Sequence, residues 1–204
     1  MGWANRVTIA RLLLIAPFVV CLLNLNDPGF GYLRYVAIAI FAVMALSDFF
    51  DGYLARRFHD QSPLGAFLDP LADKLLITLA VIILAVNGVS DDAPQAHILK
   101  LPNYVAVAAI GKDLLVSIGF AVVYLSTGKV FIQVSRIGKW CTTIELVMLL
   151  AMLLWMHMPG PLYHIIRGLW YAVVFIAAVT TIDYIRIGSR FISESAASKA
   201  TIEK

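Results

Sequence analysis

Six apolar runs divide the chain, at roughly residues 8–25, 34–57, 65–87, 104–126, 136–157 and 162–186. A helix that crosses a bilayer needs about 20 mostly apolar residues, and each run is of that order. Helix breakers separate them. Asn26-Asp27-Pro28-Gly29 follows the first run, Gly88 through Pro102 follows the third, and Met158-Pro159-Gly160-Pro161 follows the fifth. No internal repeat or low-complexity linker interrupts the series. The pattern predicts an all-α integral membrane protein with six transmembrane helices. These form a single domain over residues 1–192, and residues 193–204 form a flexible cytoplasmic tail.

Composition agrees with the membrane reading. Hydrophobic residues make up 61% of the chain and charged residues 14%, with a mean hydropathy of +0.85. Soluble domains average about 45–50% apolar and about 25% charged. Cys21 and Cys141 both sit in apolar runs, have no metal-ligand spacing, and read as packing residues. The first run is expected to remain as a helix, because no small-residue cleavage site follows Cys21. Arg6 stands where a myristoylated start would have Ser or Thr.

Orientation follows from Lys and Arg. With a cytoplasmic N-terminus, the inner ends carry twelve of them, including Arg6, Arg11, Arg56, Arg57, Lys74, Lys139, Arg186 and Arg190. The outer side carries three, Arg34, Lys100 and Arg167, and Lys112 falls inside a helix. Both termini are therefore expected in the cytoplasm, with the turn between the second and third helices on the same side.

That turn is where the chemistry concentrates. Asp48, Asp51, Asp69 and Asp73 are flanked by apolar runs on both sides. Carboxylates are costly at membrane depth and persist there at functional sites. On a helical wheel Asp51, Gly52, Ala55 and Arg56 fall with Asp48 within a sector of roughly 140°. Gly65, Asp69 and Asp73 follow at four-residue steps and form one stripe. At about 1.5 Å per residue the antiparallel pair brings Asp48 level with Asp73 and Asp51 near Asp69. Four converging carboxylates repel one another unless cations bind, and an oxygen-only donor set suits Mg²⁺ or Mn²⁺. The plainer reading is that they cap helix ends, as Asp69 ahead of Pro70 suggests.

The residues Asp48-x-x-Asp51-Gly52-x-x-Ala55-Arg56, followed after eight residues by Gly65-x-x-x-Asp69-x-x-x-Asp73, match every defined position of the CDP-alcohol phosphatidyltransferase signature. The chain resembles that family over most of its length. The resemblance implies a membrane homodimer with a two-metal site facing the cytoplasm, at the inner membrane. It implies displacement of CMP from CDP-diacylglycerol by a second alcohol. Carried over residue by residue, it makes Asp48, Asp51, Asp69 and Asp73 metal ligands, with Asp73 also the general base on the incoming hydroxyl. Asp48, Gly52, Ala55, Arg56 and Gly65 line the nucleotide and diphosphate site. Arg56 suits it because a guanidinium makes bidentate phosphate contacts.

Basic residues farther along point to the acceptor. Lys112 lies mid-helix, and Arg136 and Lys139 share a face at the start of the fifth helix. Together they suit an acceptor that carries its own phosphate. The structural alternatives are neutralisation of Lys112 by Asp113 and simple interfacial anchoring by Arg136 and Lys139. Asn5-Arg6-Val7-Thr8-Ile9-Ala10-Arg11 resembles the start of bacterial phosphatidylglycerophosphate synthases, except that Ala4 replaces their proline. This favours glycerol 3-phosphate as acceptor and puts Asn5 and Thr8 at the cytidine, although Asn5 equally suits a helix cap.

Segment 62–74 is also similar to cardiolipin synthases, whose acceptor is phosphatidylglycerol, and an inositol phosphate acceptor is a third possibility. Glu145 either bonds between helices or lines the cavity. Trp3, Trp155 and Trp170 are expected in interfacial belts. A prenyltransferase normally has more helices and another aspartate spacing. A small cation transporter would leave Arg56 unexplained. No nucleic-acid partner is expected.

Overall fold

The computed structural model describes residues 3–58, 63–90, 97–127, 136–155 and 159–202. Six helices account for nearly all of this: α1 (Trp3–Leu23), α2 (Tyr32–Phe58), α3 (Pro63–Val86), α4 (Asn103–Thr127), α5 (Arg136–Leu154) and α6 (Pro159–Ile202). A 3-10 turn, Pro28–Phe30, leads into α2. The all-helical expectation omits one feature. Strand β1 (Val89–Ser90) pairs antiparallel with β2 (Ile98–Leu99), Val89 opposite Leu99 and Ser90 opposite Ile98. Packing groups the chain into two units, Met1–Pro102 with Leu146–Arg167, and Asn103–Glu145 with Gly168–Lys204.

In the first unit α1 packs against both α2 and α3. Ile15, Phe18 and Leu22 of α1 are buried, as are Ala37, Phe41 and Met44 of α2 and Ile77, Ala80, Val81 and Leu84 of α3. The three- and four-residue steps place each set on one helix face. Phe18 meets Phe41 with ring centroids 5.9 Å apart. In the second unit α4 buries Val105, Ala109 and Val116, and α6 buries Val173 and Ala177.

The outward faces are as apolar as the cores. Leu13 is 70% exposed and Phe175 72%. A soluble protein seldom shows this much contiguous apolar surface, whereas hydrocarbon accepts it provided that the backbone is bonded internally, as it is in helices. Among the described residues, Ile137–Leu154 and Leu162–Phe191 are long and apolar enough to cross a bilayer. Ile9–Leu23, Tyr32–Ser47 and Lys74–Val86 are shorter apolar stretches.

At 44 residues, α6 is about 66 Å long, more than twice a hydrocarbon core of about 30 Å. It continues helical to Ile202, through most of the segment read as a tail. Ala196, Ala197 and Ala200 favour this, since alanine is the strongest helix former and extending a helix is easy once it exists.

Candidate active site

Asp48 and Asp51 lie well inside α2, and Asp69 and Asp73 lie inside α3, which begins at Pro63. None of the four is at a helix start, so end-capping does not account for them. The side chains of Asp48, Asp51, Gly52, Ala55, Arg56, Gly65, Asp69 and Asp73 lie outside the described residues, as do those of Asn5, Thr8 and Arg136. Their helix positions are described. Asn5 falls within the first turn of α1, which starts at Trp3, and is not its N-cap residue.

A polar knot at the far ends of α2 and α3 fixes how these helices align. Asn26 Nδ2 donates to the carbonyls of Asn87 and Gly88, both at 3.3 Å, and Asn26 Oδ1 accepts from the Ser90 amide at 2.9 Å. Arg34, near the start of α2, donates through Nε to the Leu25 carbonyl and through Nη2 to Ser90 Oγ, each at 2.9 Å. The Leu101 amide returns to the Leu84 carbonyl at 3.1 Å. Gly88 makes the turn with φ of 69°. A Cβ there would lie 2.7 Å from Ile98 Cγ2 and 2.9 Å from the Leu99 carbonyl oxygen.

The Arg34–Ser90 bond thus holds the start of α2 level with the end of α3. At about 1.5 Å per residue, Asp48 lies about 21 Å along α2 from Arg34, and Asp51 about 26 Å. Asp73 lies about 20 Å along α3 from Val86, and Asp69 about 26 Å. The helix positions of the four carboxylates are therefore matched in depth, two by two.

Arg11, read from sequence as an inner-face anchor, is only 2% exposed, on the helix that touches both α2 and α3. Its Nε is buried without a hydrogen-bond partner among the described residues, although the residue makes other interactions. Such burial could have been suspected from its place within an apolar run.

In the second unit Lys112 of α4 is buried against Glu145 of α5. Lys112 Nζ lies 3.1 Å from Glu145 Oε1, 3.3 Å from Oε2, and 3.3 Å from Asp113 Oδ1. The Cys141 thiol donates to Glu145 Oε1 at 3.6 Å. Of the two readings of Glu145, bonding between helices is the one observed. Lys139 is exposed. Trp155 and Trp170 are buried, each with an indole Nε1 lacking a hydrogen-bond partner among the described residues. Trp155 packs on Tyr163, with centroids 5.9 Å apart.

The chain matches the family model described as CDP-alcohol phosphatidyltransferase over residues 1–184. It is similar to a protein of Rickettsia typhi named CDP-diacylglycerol–glycerol-3-phosphate 3-phosphatidyltransferase, with 31% identity over 185 residues, 89% of this chain and 94% of the relative. A Salmonella typhimurium protein of the same name is 33% identical over 176 residues, 86% of each chain. One from Pseudomonas fluorescens is 38% identical over 120 residues, 57% of this chain and 53% of the relative.

Proposed function

The chain belongs to the CDP-alcohol phosphatidyltransferase family, and on that premise we propose that it transfers the phosphatidyl group of CDP-diacylglycerol to sn-glycerol 3-phosphate. The products are CMP and phosphatidylglycerol phosphate. The names of its relatives support the choice of acceptor. The observation that most supports the reading is the Arg34–Ser90 bond between the start of α2 and the strand just after α3, from which helical spacing puts the four aspartate positions at matched depths.

The donor set fits divalent cations, since carboxylate oxygens are the ligands that Mg²⁺ and Mn²⁺ prefer. Asp48, Asp51, Asp69 and Asp73 hold two ions in this reading. When bound, such ions offset the diphosphate charge and stabilise the phosphate of departing CMP. The protein's own residues orient and deprotonate. Asn5 and Thr8 hold the cytidine. Gly52, Ala55 and Gly65 let the nucleotide lie close to the backbone, and Arg56 grips the diphosphate. Asp73 takes the proton of the acceptor hydroxyl as its oxygen attacks the phosphorus that bears diacylglycerol, and the bond to CMP breaks.

Arg136 and Lys139 hold the acceptor's phosphate. Lys112, held between Glu145 and Asp113, joins them in this reading. In this reading the chain spans the membrane six times with both termini in the cytoplasm, the site faces the inner leaflet of the cytoplasmic membrane, and the protein is a homodimer.

The test is direct. Purified protein is incubated with CDP-diacylglycerol, Mg²⁺ or Mn²⁺, and labelled glycerol 3-phosphate. CMP and labelled lipid form together, and a chelator stops both until metal is restored. CMP release with phosphatidylglycerol but not with glycerol 3-phosphate moves the acceptor assignment. No CMP release with any alcohol refutes the transferase reading.

A further inference from the structure

The proposed chemistry leaves one deeply buried charge without a role. Arg11 is 2% exposed. It stands on α1, which has no acidic residue of its own. A guanidinium is almost never this buried unless it is paired, because an uncompensated charge in an apolar interior is strongly destabilising. Arg11 does make interactions. The helices that α1 packs against are α2 and α3, whose acidic residues are Asp48, Asp51, Asp69 and Asp73.

Register selects one of the four. Two contacts align α1 with α2. Arg34 Nε donates to the Leu25 carbonyl, and the Phe18 ring meets that of Phe41. Seven residues back along α1, from Leu25 to Phe18, thus answer seven residues on along α2, from Arg34 to Phe41. The next such step pairs Arg11 with Asp48. Seven residues are two turns, about 10.5 Å, and leave the helix face unchanged to within about 20°. Burial repeats the match. The buried stripe of α1 is Arg11, Ile15, Phe18 and Leu22, in steps of four, three and four. That of α2 is Ala37, Phe41 and Met44, and the next step of four reaches Asp48. Asp51 lies about 4.5 Å nearer the cytoplasm and about 60° around α2. Asp73 shares the depth of Asp48 but belongs to α3, whereas the face of α1 that carries Arg11 is the one that meets Phe41.

We infer that the Arg11 guanidinium pairs with the Asp48 carboxylate and holds it in one orientation, which makes Arg11 a positioning residue for the metal site. The two Nη groups of an arginine bind a carboxylate bidentately and so fix its plane. Partners that orient a metal ligand typically cost about 10–100-fold in metal affinity or activity when removed. The pairing stands on the packing of α1 against α2. Its consequence for metal rests on the transferase reading, in which Asp48 is a ligand.

Two measurements on the detergent-purified full chain test it. The first is thermal unfolding with metal removed by a chelator. Arg11→Met and Asp48→Asn should each lower the midpoint, and the double variant should fall no lower than the worse of the two. Arg11→Met combined with Asp73→Asn should show the sum of the separate shifts. Additive shifts with Asp48, or coupling to Asp73 alone, would overturn the pairing. The second is a Mn²⁺ titration followed by electron paramagnetic resonance. Arg11→Met should weaken Mn²⁺ binding at least about tenfold, and Arg11→Lys, which keeps the charge, should restore it to within about threefold of wild type. Arg11→Gln stands in, with the same expectations, if Arg11→Met does not fold. Unchanged Mn²⁺ affinity with a lowered midpoint would make Arg11 a brace between helices and overturn the positioning role. So would a raised KM for CDP-diacylglycerol with unchanged Mn²⁺ affinity, the mark of a direct contact with the diphosphate. Wild type that binds no Mn²⁺ refutes the metal reading of the aspartates, and the unfolding comparison still decides the pairing.

Discussion

A buried lysine with two carboxylates makes opposite demands on a membrane helix. Lys112 is 5% and Glu145 1% exposed, so each is tolerable only because of the other. Glu145→Leu alone strands the ammonium with Asp113 and should cost about 3–5 kcal/mol, read as a lowered denaturation midpoint in detergent. Lys112→Met with Glu145→Leu removes both charges and should recover most of that loss. The double variant also separates structure from function. If Lys112 contacts the acceptor's phosphate, the KM for glycerol 3-phosphate rises in the stable double variant while that for CDP-diacylglycerol holds. An unchanged acceptor KM would leave Lys112 a brace between α4 and α5. The aspartates call for the opposite result. Asp69→Asn should lower CMP release by about 10²–10³-fold, since metal stabilisation of developing charge amounts to several kcal/mol. The unfolding midpoint of the metal-free protein should stay the same. Near-normal turnover in that variant would remove Asp69 from the site.

Between helices, the knot around Asn26 and Gly88 sets the alignment of α2 and α3. Gly88→Ala meets both a left-handed backbone and a neighbouring carbonyl oxygen at 2.9 Å. It should destabilise the protein by about 2–3 kcal/mol and lower turnover, because the aspartate helices lose their common reference. Full activity with a lowered melting point would show that the knot supports the fold without setting the site. The sequence foretold the six helices because each is a long, locally defined apolar run. It placed the four aspartates inside helices because those residues repeat on helical spacing within two successive apolar runs. It did not foretell the knot: Asn26 and Ser90 are 64 positions apart, and breakers such as Gly88 announce a turn without naming its partners. The Lys112–Glu145 pair was left open for the same reason, as it depends on the register of α4 against α5. That Trp155 and Trp170 are buried was not legible either, because apolar periodicity in a membrane helix does not distinguish a lipid-facing side from a protein-facing one.

At the scale of the whole chain, the open question is which way it sits in the bilayer. Twelve Lys and Arg fall at the ends expected inside and three at the ends expected outside. Of those three, Arg34 is committed to the Leu25 carbonyl and Ser90 Oγ. Arg167 lies over the Tyr163 ring at 5.6 Å. Arg11, Lys74 and Arg190 of the inner set are engaged as well, so it is the count itself that carries the bias steering insertion. The length of α6 adds a second constraint, because its polar last turns must leave the hydrocarbon on the side where the chain ends. The length of α6 is the same for either orientation, so the Lys and Arg count alone supports the proposed cytoplasmic C-terminus. A fluorescent protein fused after Lys204 should mature and fluoresce in a bacterial host, while a phosphatase that works only outside the inner membrane should be inactive at that position. The same phosphatase inserted between residues 90 and 97, in the connection after α3, should be active. The reversed pattern would put the aspartate turn outside, away from cytoplasmic CDP-linked substrate, and would refute the proposed location of the site even if the chemistry survived.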